Sequence, residues 1–528
     1  MVIIEKGIIV LVLGLTFPNL VSCDWFSSIS HMEDLIEEET DLVASLSHYI
    51  DKQEAKIRHL KRFVKQFDDI TMQNAVDYLS HPVNQFRLFK RLAFEWDVIQ
   101  DTVKENTSTE FVEKLSTKRV NFPDEKDVVG SAQALMRLQD TYKLEIHQLA
   151  RGNVNGVQAI QMLRPRDWYD VGRIAFEMKD YYHCASWMVA LSLMNETLFQ
   201  SFTKFDVLNH ASFCSVQLGD IETAYNASLE MTLIEPSHER NNKNFQYYSE
   251  MMKKSDVNLG ISSSHQPLSA LNPDDLRHYE ALCRDEGTNL PAHIGSKLKC
   301  YLWTNHNNPR LILQPAKVEE LWLSPQLIRF HDVLSDTQME SVKQLARPML
   351  YRSTVNNPDT GKLEHAKYRV AKSAWLEDSD ADVIGQVSRR IVDLTGLSLD
   401  SAEMLQVANY GVGGQYEPHY DFFGKHVAID ENSGNRIATF LIYLSDVTNG
   451  GSTVFLEPKV GVRPIRGSAA FWYNLDPAGV PDRRTRHAAC PVLTGVKWVA
   501  NKWIHEVGQE FKGRPCQLSR YSDNLVFA

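Results

Sequence analysis

His419 and Asp421 lie two residues apart in "QYEPHYDFFG", just after the glycines Gly411, Gly413 and Gly414. On an extended strand, side chains at i and i+2 share a face, with Cα atoms about 6 to 7 Å apart. One imidazole and one carboxylate on one face can hold one cation, but the pair is common by chance and a third ligand must decide. His487, in "RRTRHAACP", lies 66 residues after Asp421 on another strand-like segment. Two imidazoles and a carboxylate form the facial ligand set of non-haem Fe(II) centres, which leaves positions open for a co-substrate and O2. A structural zinc site closes with a fourth protein ligand, and the sequence offers none nearby. Lys497 opens "KWVANKWIH", in which Lys497, Val499, Asn501, Trp503 and His505 alternate onto one face. A lysine buried in an apolar sheet needs an anionic partner, and a ligand carboxylate would supply one. Tyr410, before His419, could donate its hydroxyl to the same ligand; Thr439, in "RIATF", is a weaker candidate.

These residues fall in the last third of a 528-residue chain, too long for a single core. After residue 325 the pattern alternates with period two and is punctuated by Gly and Pro. "RIATFLIYLSD", "GSAAFWYNL" and "KWVANKWIHE" read as strands of an antiparallel sandwich or jelly roll over 331–528. The front half reads as helices. Residues 26–67 read as one long helix, with Met32, Leu35, Leu42, Leu46, Tyr49, Leu60, Phe63 and Phe67 on a heptad seam that Glu39, Gln53 and Lys56 interrupt. That seam is expected to dimerise as a coiled coil within a 24–149 domain. From 150 to 255 helix–turn–helix pairs with Lys-Asp and Gly-Asp turns follow the grammar of tetratricopeptide units, with Tyr181, Tyr182 and Trp187 as candidate walls of a peptide groove. Residues 256–330 read as a disulfide-containing linker.

The net charge of −11 argues against nucleic acid as a partner. No apolar run is long enough for a membrane span. "GIIVLVLGL" within residues 1–23 reads as the core of a secretory signal peptide. Lumenal entry makes disulfides expected among Cys184, Cys214, Cys283, Cys300, Cys490 and Cys516. Sequence proximity suggests Cys283–Cys300 and Cys490–Cys516, leaving Cys184 and Cys214 open. Sequons at Asn106, Asn195 and Asn226 are expected to carry glycans.

Longer motifs add a resemblance. "QVANYGVGGQYEPHYDF", "GGSTVFLEP", "GSAAFWYNL" and "TRHAACPVLTGVKWVANKWIHE" resemble the catalytic domain of the collagen prolyl 4-hydroxylase alpha subunits. "HPVNQFRLFKRLAFEW" and "ALMRLQDTYKLE" resemble their N-terminal region, and "DYYHCASWM" their peptide-substrate-binding domain. The resemblance implies a double-stranded β-helix that binds Fe(II) through His419, Asp421 and His487. It implies that Lys497 anchors 2-oxoglutarate with help from Tyr410 and Thr439, while Trp503 and His505 line the co-substrate end. The implied reaction is 4-hydroxylation of proline in X-Pro-Gly repeats of procollagen-like chains, using O2 and with L-ascorbate keeping the iron reduced. The implied assembly pairs two alpha chains with two protein disulfide isomerase chains in the endoplasmic reticulum lumen. One departure concerns the groove: His210, Phe213 and Val216 stand where the family places tyrosines. A dioxygenase with a different peptide substrate, or a non-catalytic peptide-binding subunit, are the alternatives.

Overall fold

The computed structural model describes residues 25–52, 61, 63–64, 75–104, 109–199, 201–254, 269, 271–287, 292–356, 363–424 and 429–510. The expected signal peptide, the Asn106 sequon and Cys516 lie outside the described residues.

The front half is helical. Helix α1 (Met32–Lys52) carries Glu33 and Asp34 in its first turn, where the helix dipole favours negative charge. Its stripe of Met32, Leu35, Leu42 and Leu46 is buried inside the chain, against helices Ala75–Leu79 and Thr109–Arg119. These four side chains are covered by helices of the same chain, while those of Tyr49, Leu60 and Phe67 from the expected seam lie outside the described residues. Glu39, which interrupts the heptads, is buried and paired with the Arg91 guanidinium. Helix α2 (Pro82–Lys90) starts with proline at its first turn, where no N–H is needed. Helix α3 (Glu125–Tyr142) starts from a reciprocal Asp124–Asp127 capping box.

Five further helices follow: α4 (Pro165–Glu177), α5 (Tyr181–Ser192), α6 (Lys204–Gln217), α7 (Ile221–Ile234) and α8 (Glu239–Lys254). Each packs on the next. The turns are written in the sequence as caps. Asp180 accepts from His183 N at 3.1 Å, Asp220 accepts from Thr223 N at 3.0 Å, and Thr203 and Asp206 form a capping box. Gly219, at φ +80°, takes the left-handed position before Asp220. Cys184 and Cys214, left open by the sequence, form a disulfide between α5 and α6. Asp167, at the start of α4, meets Lys90 at 3.0 Å and Arg87 at 3.8 Å, which ties this array to α2.

The back half is built on two antiparallel sheets. The strands are β1 (Cys300–Trp303), β2 (Ala316–Leu323), β3 (Gln326–His331), β4 (Tyr351–Arg352), β5 (Lys372–Leu376), β6 (Leu405–Tyr410), β7 (Tyr416–His419), β8 (Arg436–Tyr443), β9 (Thr453–Phe455), β10 (Val460–Val462), β11 (Ala469–Tyr473), β12 (His487–Ala489) and β13 (Lys497–His505). The major sheet has nine strands in the order β1-β2-β3-β11-β8-β13-β6-β5-β4, and the minor sheet four, β7-β12-β9-β10. Alternation sorts the major sheet's side chains. Val407, Phe440, Ile442, Ala500 and Ile504 face helices α10 (Asp336–Ala346) and α11 (Asp382–Thr395). Tyr410, Tyr443, Trp472 and Val499 face Phe455 and Val462 of the minor sheet.

The expected linker 256–330 is not one. Residues 300–331 supply three strands of the major sheet, and helix α9 (Pro273–Cys283) packs Leu276, Tyr279 and Leu282 on Val454, Leu456 and Ala488 of the minor-sheet region. That packing also corrects the disulfides. Cys283 bonds Cys490, with Cα atoms 5.6 Å apart across 207 residues, while Cys300 sits exposed and unpaired on the edge strand β1. Neither Cys283–Cys300 nor Cys490–Cys516 is therefore formed. The docking of α9 decides the pairing, and spacing along the chain carries no signal of it.

Candidate active site

The sequence spacing of the ligand set becomes a geometry through one strand pairing. His419 ends β7, His487 begins β12, and the two are direct cross-strand partners. Asp421 follows β7 by two residues. His419 Nε2 lies 3.6 Å from Asp421 Oδ1, and His487 Nε2 lies 3.6 Å from Asp421 Oδ2. The three ligand atoms all fall within 4.8 Å of one another. Each ring's other nitrogen faces a backbone carbonyl: His419 Nδ1 lies 2.8 Å from Glu417 O, and His487 Nδ1 lies 2.9 Å from Thr485 O. A carbonyl can only accept, so Nδ1 carries the hydrogen and both Nε2 lone pairs point at the shared space. Tyr416 stacks on His419 at 3.5 Å, and Trp472 and Phe455 pack on His487. Burial, and then the neighbouring His487, pull the His419 pKa down to about 3, so its imidazole stays neutral. Burial pushes the Asp421 carboxyl upward, but His487, His419, Arg436 and a Thr439 hydrogen bond together hold it below the usual range. Neutral imidazoles and an ionised carboxylate are the states a divalent metal requires.

Three sequence families match this chain in succession: the prolyl 4-hydroxylase alpha-subunit N-terminal region over residues 28–156, the prolyl 4-hydroxylase peptide-substrate-binding domain over 165–254, and the 2OG-Fe(II) oxygenase superfamily over 405–505. The human prolyl 4-hydroxylase subunit alpha-1 is 43% identical, over 97% of this chain and 99% of its own length. The chain belongs to the prolyl 4-hydroxylase alpha-subunit family. The chicken alpha-1 subunit is 44% identical over 94% of this chain and 99% of its own length. The Caenorhabditis elegans alpha-2 subunit is 39% identical over 95% and 94% respectively. Among solved structures, the 2OG complex of viral collagen prolyl hydroxylase vCPH from Paramecium bursaria Chlorella virus-1 is similar at 26% identity and a TM-score of 0.28, covering 34% of this chain and 96% of that one.

The chain is thus an Fe(II)- and 2-oxoglutarate-dependent oxygenase, and its residues fit both groups. Three donors of the right kind converge on one point, with no fourth in the cluster. Lys497 is 1% exposed, and no carboxylate among the described residues pairs with it. Burial alone lowers its pKa to about 7. Its cross-strand partner is Tyr410, whose ring centre lies 5.0 Å from Nζ. Trp472 Nε1 and Asn501 Oδ1 are likewise buried without a hydrogen-bond partner. Such orphaned groups are uncommon in a packed interior and suit a polar ligand.

Two expected helpers have protein partners of their own. Thr439 donates to Asp421 Oδ2 at 2.7 Å and accepts from Asn474 Nδ2 at 2.9 Å, so it orients the carboxylate ligand. His505 lies eight residues from Lys497 along β13, ~26 Å at strand rise. His505 Nε2 lies 3.0 Å from Glu403 Oε1, and Nδ1 lies 3.0 Å from Gly434 O. Glu403 also pairs with Arg436, whose guanidinium covers Trp503 at 3.9 Å and donates to Asp421 O at 3.2 Å. Trp503 lines a cleft of about 610 Å³ with His419, Asp421, Arg369, Gln406 and Tyr416. The supporting residues Glu403, Asn474 and Tyr416 were not singled out from the sequence. Only Tyr416 had a local signal, its place beside His419.

In the helical array Trp187 is fully buried, edge-on to Trp168, with its indole donating to Gln139 at 2.9 Å. It is core and not groove wall. Tyr181 is half-buried and Tyr182 exposed. An aromatic row instead runs from the buried Phe202 through the half-buried Tyr169, His210 and Phe176 to the exposed Phe213 and half-buried Tyr181, each ring within 4.5–6.0 Å of the next. Val216 packs with Ile221, Ala224 and Tyr248 and lies apart from this row. Asn195 and Asn226 are exposed.

Proposed function

We propose that this chain is the catalytic alpha subunit of a prolyl 4-hydroxylase, converting proline in X-Pro-Gly repeats of procollagen-like chains to 4-hydroxyproline. The carrying observation is the His419–Asp421–His487 cluster on the minor-sheet side, with Lys497 buried on the major sheet and paired with no carboxylate among the described residues. Fe(II) with 2-oxoglutarate and O2 supplies the oxidising power that an aliphatic C–H bond requires. The chain's part is positioning. His419, Asp421 and His487 would hold the Fe(II). Lys497, with Tyr410 beside it, receives the far carboxylate of the oxoacid. Thr439 and Arg436 keep Asp421 in place. Packed aromatic side chains around the imidazoles exclude water. The facing nine- and four-stranded sheets support reading the domain as the double-stranded β-helix implied by the resemblance.

L-ascorbate as reductant, protein disulfide isomerase as partner in an α2β2 tetramer, self-association through the N-terminal helical region, and residence in the endoplasmic reticulum lumen belong to the same proposal. Two disulfides support an oxidising compartment, and among the described residues no helix is long and apolar enough to cross a membrane. We read residues 24–149 as the N-terminal helical domain, 150–255 as the peptide-binding array and 331–528, with the strands before it, as the catalytic domain.

A second reading concerns the substrate. His210 and Phe213 sit in the aromatic row where the family resemblance led us to expect phenols. Loss of those hydroxyls favours a retuned peptide choice with unchanged chemistry. The experiment is peptide-coupled CO2 release from 2-oxoglutarate by the purified assembly, with mass-spectrometric assignment of the product. 4-Hydroxyproline in a (Pro-Pro-Gly)-type peptide supports the first reading. Hydroxylation confined to another proline-rich peptide supports the second. No release with any peptide removes both.

A further inference from the structure

Helix α3 touches both working halves of the molecule. On the side toward the peptide-binding array, Gln139 accepts from the Trp187 indole at 2.9 Å, and Asp140 meets His183 Nε2 at 3.2 Å. Both partners lie on α5, the helix that also carries Tyr181 of the aromatic row. On the catalytic side, Arg137 donates to Gly413 O at 2.6 Å, and the Tyr142 hydroxyl donates to Pro491 O at 2.6 Å. Gly413 belongs to the turn that feeds β7 and His419. Pro491 leaves β12, which His487 begins.

The fit at these two points is close. A Cβ on Gly413 would sit 2.6 Å from Ala134 Cβ, and one on Gly450 would sit 2.5 Å from the Tyr142 hydroxyl. Both glycines also have positive φ, so the turns are built for this approach. Gly413 N in turn donates to Val492 O at 2.8 Å, locking the two turns to each other. Val412 and Leu493, one beside each contact, are fully buried members of the helical half's core and not of the sheet core. Strands β7 and β12 are short, and they leave the minor sheet through these turns. The angle at which the two imidazoles meet is therefore set partly by a helix outside the catalytic domain.

We propose that α3 is the strut joining peptide capture to the metal centre, and that Arg137 and Tyr142 are positioning residues which hold the strands of His419 and His487 in register from the N-terminal region. The inference rests on the oxygenase reading above. It makes the N-terminal helical region part of the machinery that shapes the metal site. It also means that the groove-bearing helices and the metal-bearing strands are fixed to one rigid element, so a peptide held by the row meets the cleft in a set relation.

The test uses the full chain in its assembly, with Tyr142→Phe, Arg137→Met and the conservative Arg137→Lys. Three quantities are read: kcat and KM with a long proline-rich peptide, the dissociation constant and d–d absorption of Co(II) bound in place of Fe(II), and peptide affinity of the aromatic row without metal. For Tyr142→Phe and Arg137→Met we expect Co(II) affinity and kcat each to fall at least fivefold, with a changed Co(II) spectrum. Metal-free peptide affinity should stay within twofold, and Arg137→Lys should recover part of the loss. Should Arg137→Met fail to fold, Tyr142→Phe, which removes one oxygen, decides alone. Wild-type Co(II) affinity, spectrum and kcat in Tyr142→Phe would overturn the proposal. So would equal losses of metal and peptide binding, which would mark general destabilisation. Inactive wild-type assembly with normal Co(II) binding would instead count against the oxygenase reading.

Discussion

Replacing Lys497 by methionine should make the co-substrate-free protein more stable while removing its grip on 2-oxoglutarate. Burial brings the lysine from 10.5 to about 7 with no compensating charge. A difference of 3.5 pH units corresponds to about 5 kcal/mol of unfavourable burial for the ammonium form. The sign follows from proton counts. The unfolded lysine holds its proton up to about pH 10.5, and the folded one only to about 7. The destabilisation is complete below pH 7 and disappears as pH rises from 7 to 10.5. Methionine has similar length and no charge, so the gain should be several degrees in Tm at pH 6 and should vanish near pH 10. Binding runs the other way. Removing one partner of a buried ion pair costs about 3–5 kcal/mol, so KM for 2-oxoglutarate should rise by about two to four powers of ten. In the wild type the same KM should climb as pH passes 7, because only the ammonium form attracts the oxoacid. Thermal unfolding with and without 2-oxoglutarate at pH 6 and pH 10 reads all of this. A variant that is less stable by the same amount at both pH values, or that 2-oxoglutarate still protects at wild-type concentrations, would refute the reasoning.

Thr439→Val keeps shape but removes the hydrogen bond to Asp421, and metal affinity should drop by about 10–100-fold, read by Co(II) titration. His183 is held at about 9: burial lowers its pKa, but hydrogen bonds and charge from Asp140 and Asp180 raise it more. Its folded pKa exceeds its unfolded 6.5, so its contribution is complete below pH 6.5 and is lost as pH rises through 9. His183→Gln should therefore lower Tm more at pH 6 than at pH 9.5, by up to about 3 kcal/mol of stability. Cys184→Ala opens the α5–α6 disulfide and should destabilise the peptide-binding helices by about 2–4 kcal/mol, seen as an earlier unfolding step, with peptide-independent 2-oxoglutarate turnover unchanged.

What could be read in the sequence was whatever a local period fixes. The i, i+2 spacing brought His419 and Asp421 to one point, although Asp421 lies two residues beyond the end of β7, and alternation through "KWVANKWIH" placed Lys497, Asn501 and Trp503 on the inner face of β13. Asp180 and Asp220 marked helix starts because their side chains cap the next helix. The pairing of His419 with His487 was not readable, since register depends on where two distant strands meet. The same limit explains the disulfides: Cys283 finds Cys490 only after α9 docks on the minor-sheet region. It explains the heptad stripe as well. An apolar seam reports that something covers it, and here helices of the same chain do. Residues 256–330 misled by composition, because Pro, Ser and Asn between short strands look like linker. Trp187 misled by type, since an indole suits a groove and a core equally.

The most direct measurement is an anaerobic titration of the full-length assembly with Fe(II) and then 2-oxoglutarate, in the wild type and in His487→Ala. The account predicts one Fe(II) per alpha chain in the wild type, a new visible absorption band when 2-oxoglutarate is added, and loss of both in His487→Ala with assembly intact. Undiminished Fe(II) binding in His487→Ala, or wild-type Fe(II) binding that does not respond to 2-oxoglutarate, would contradict it.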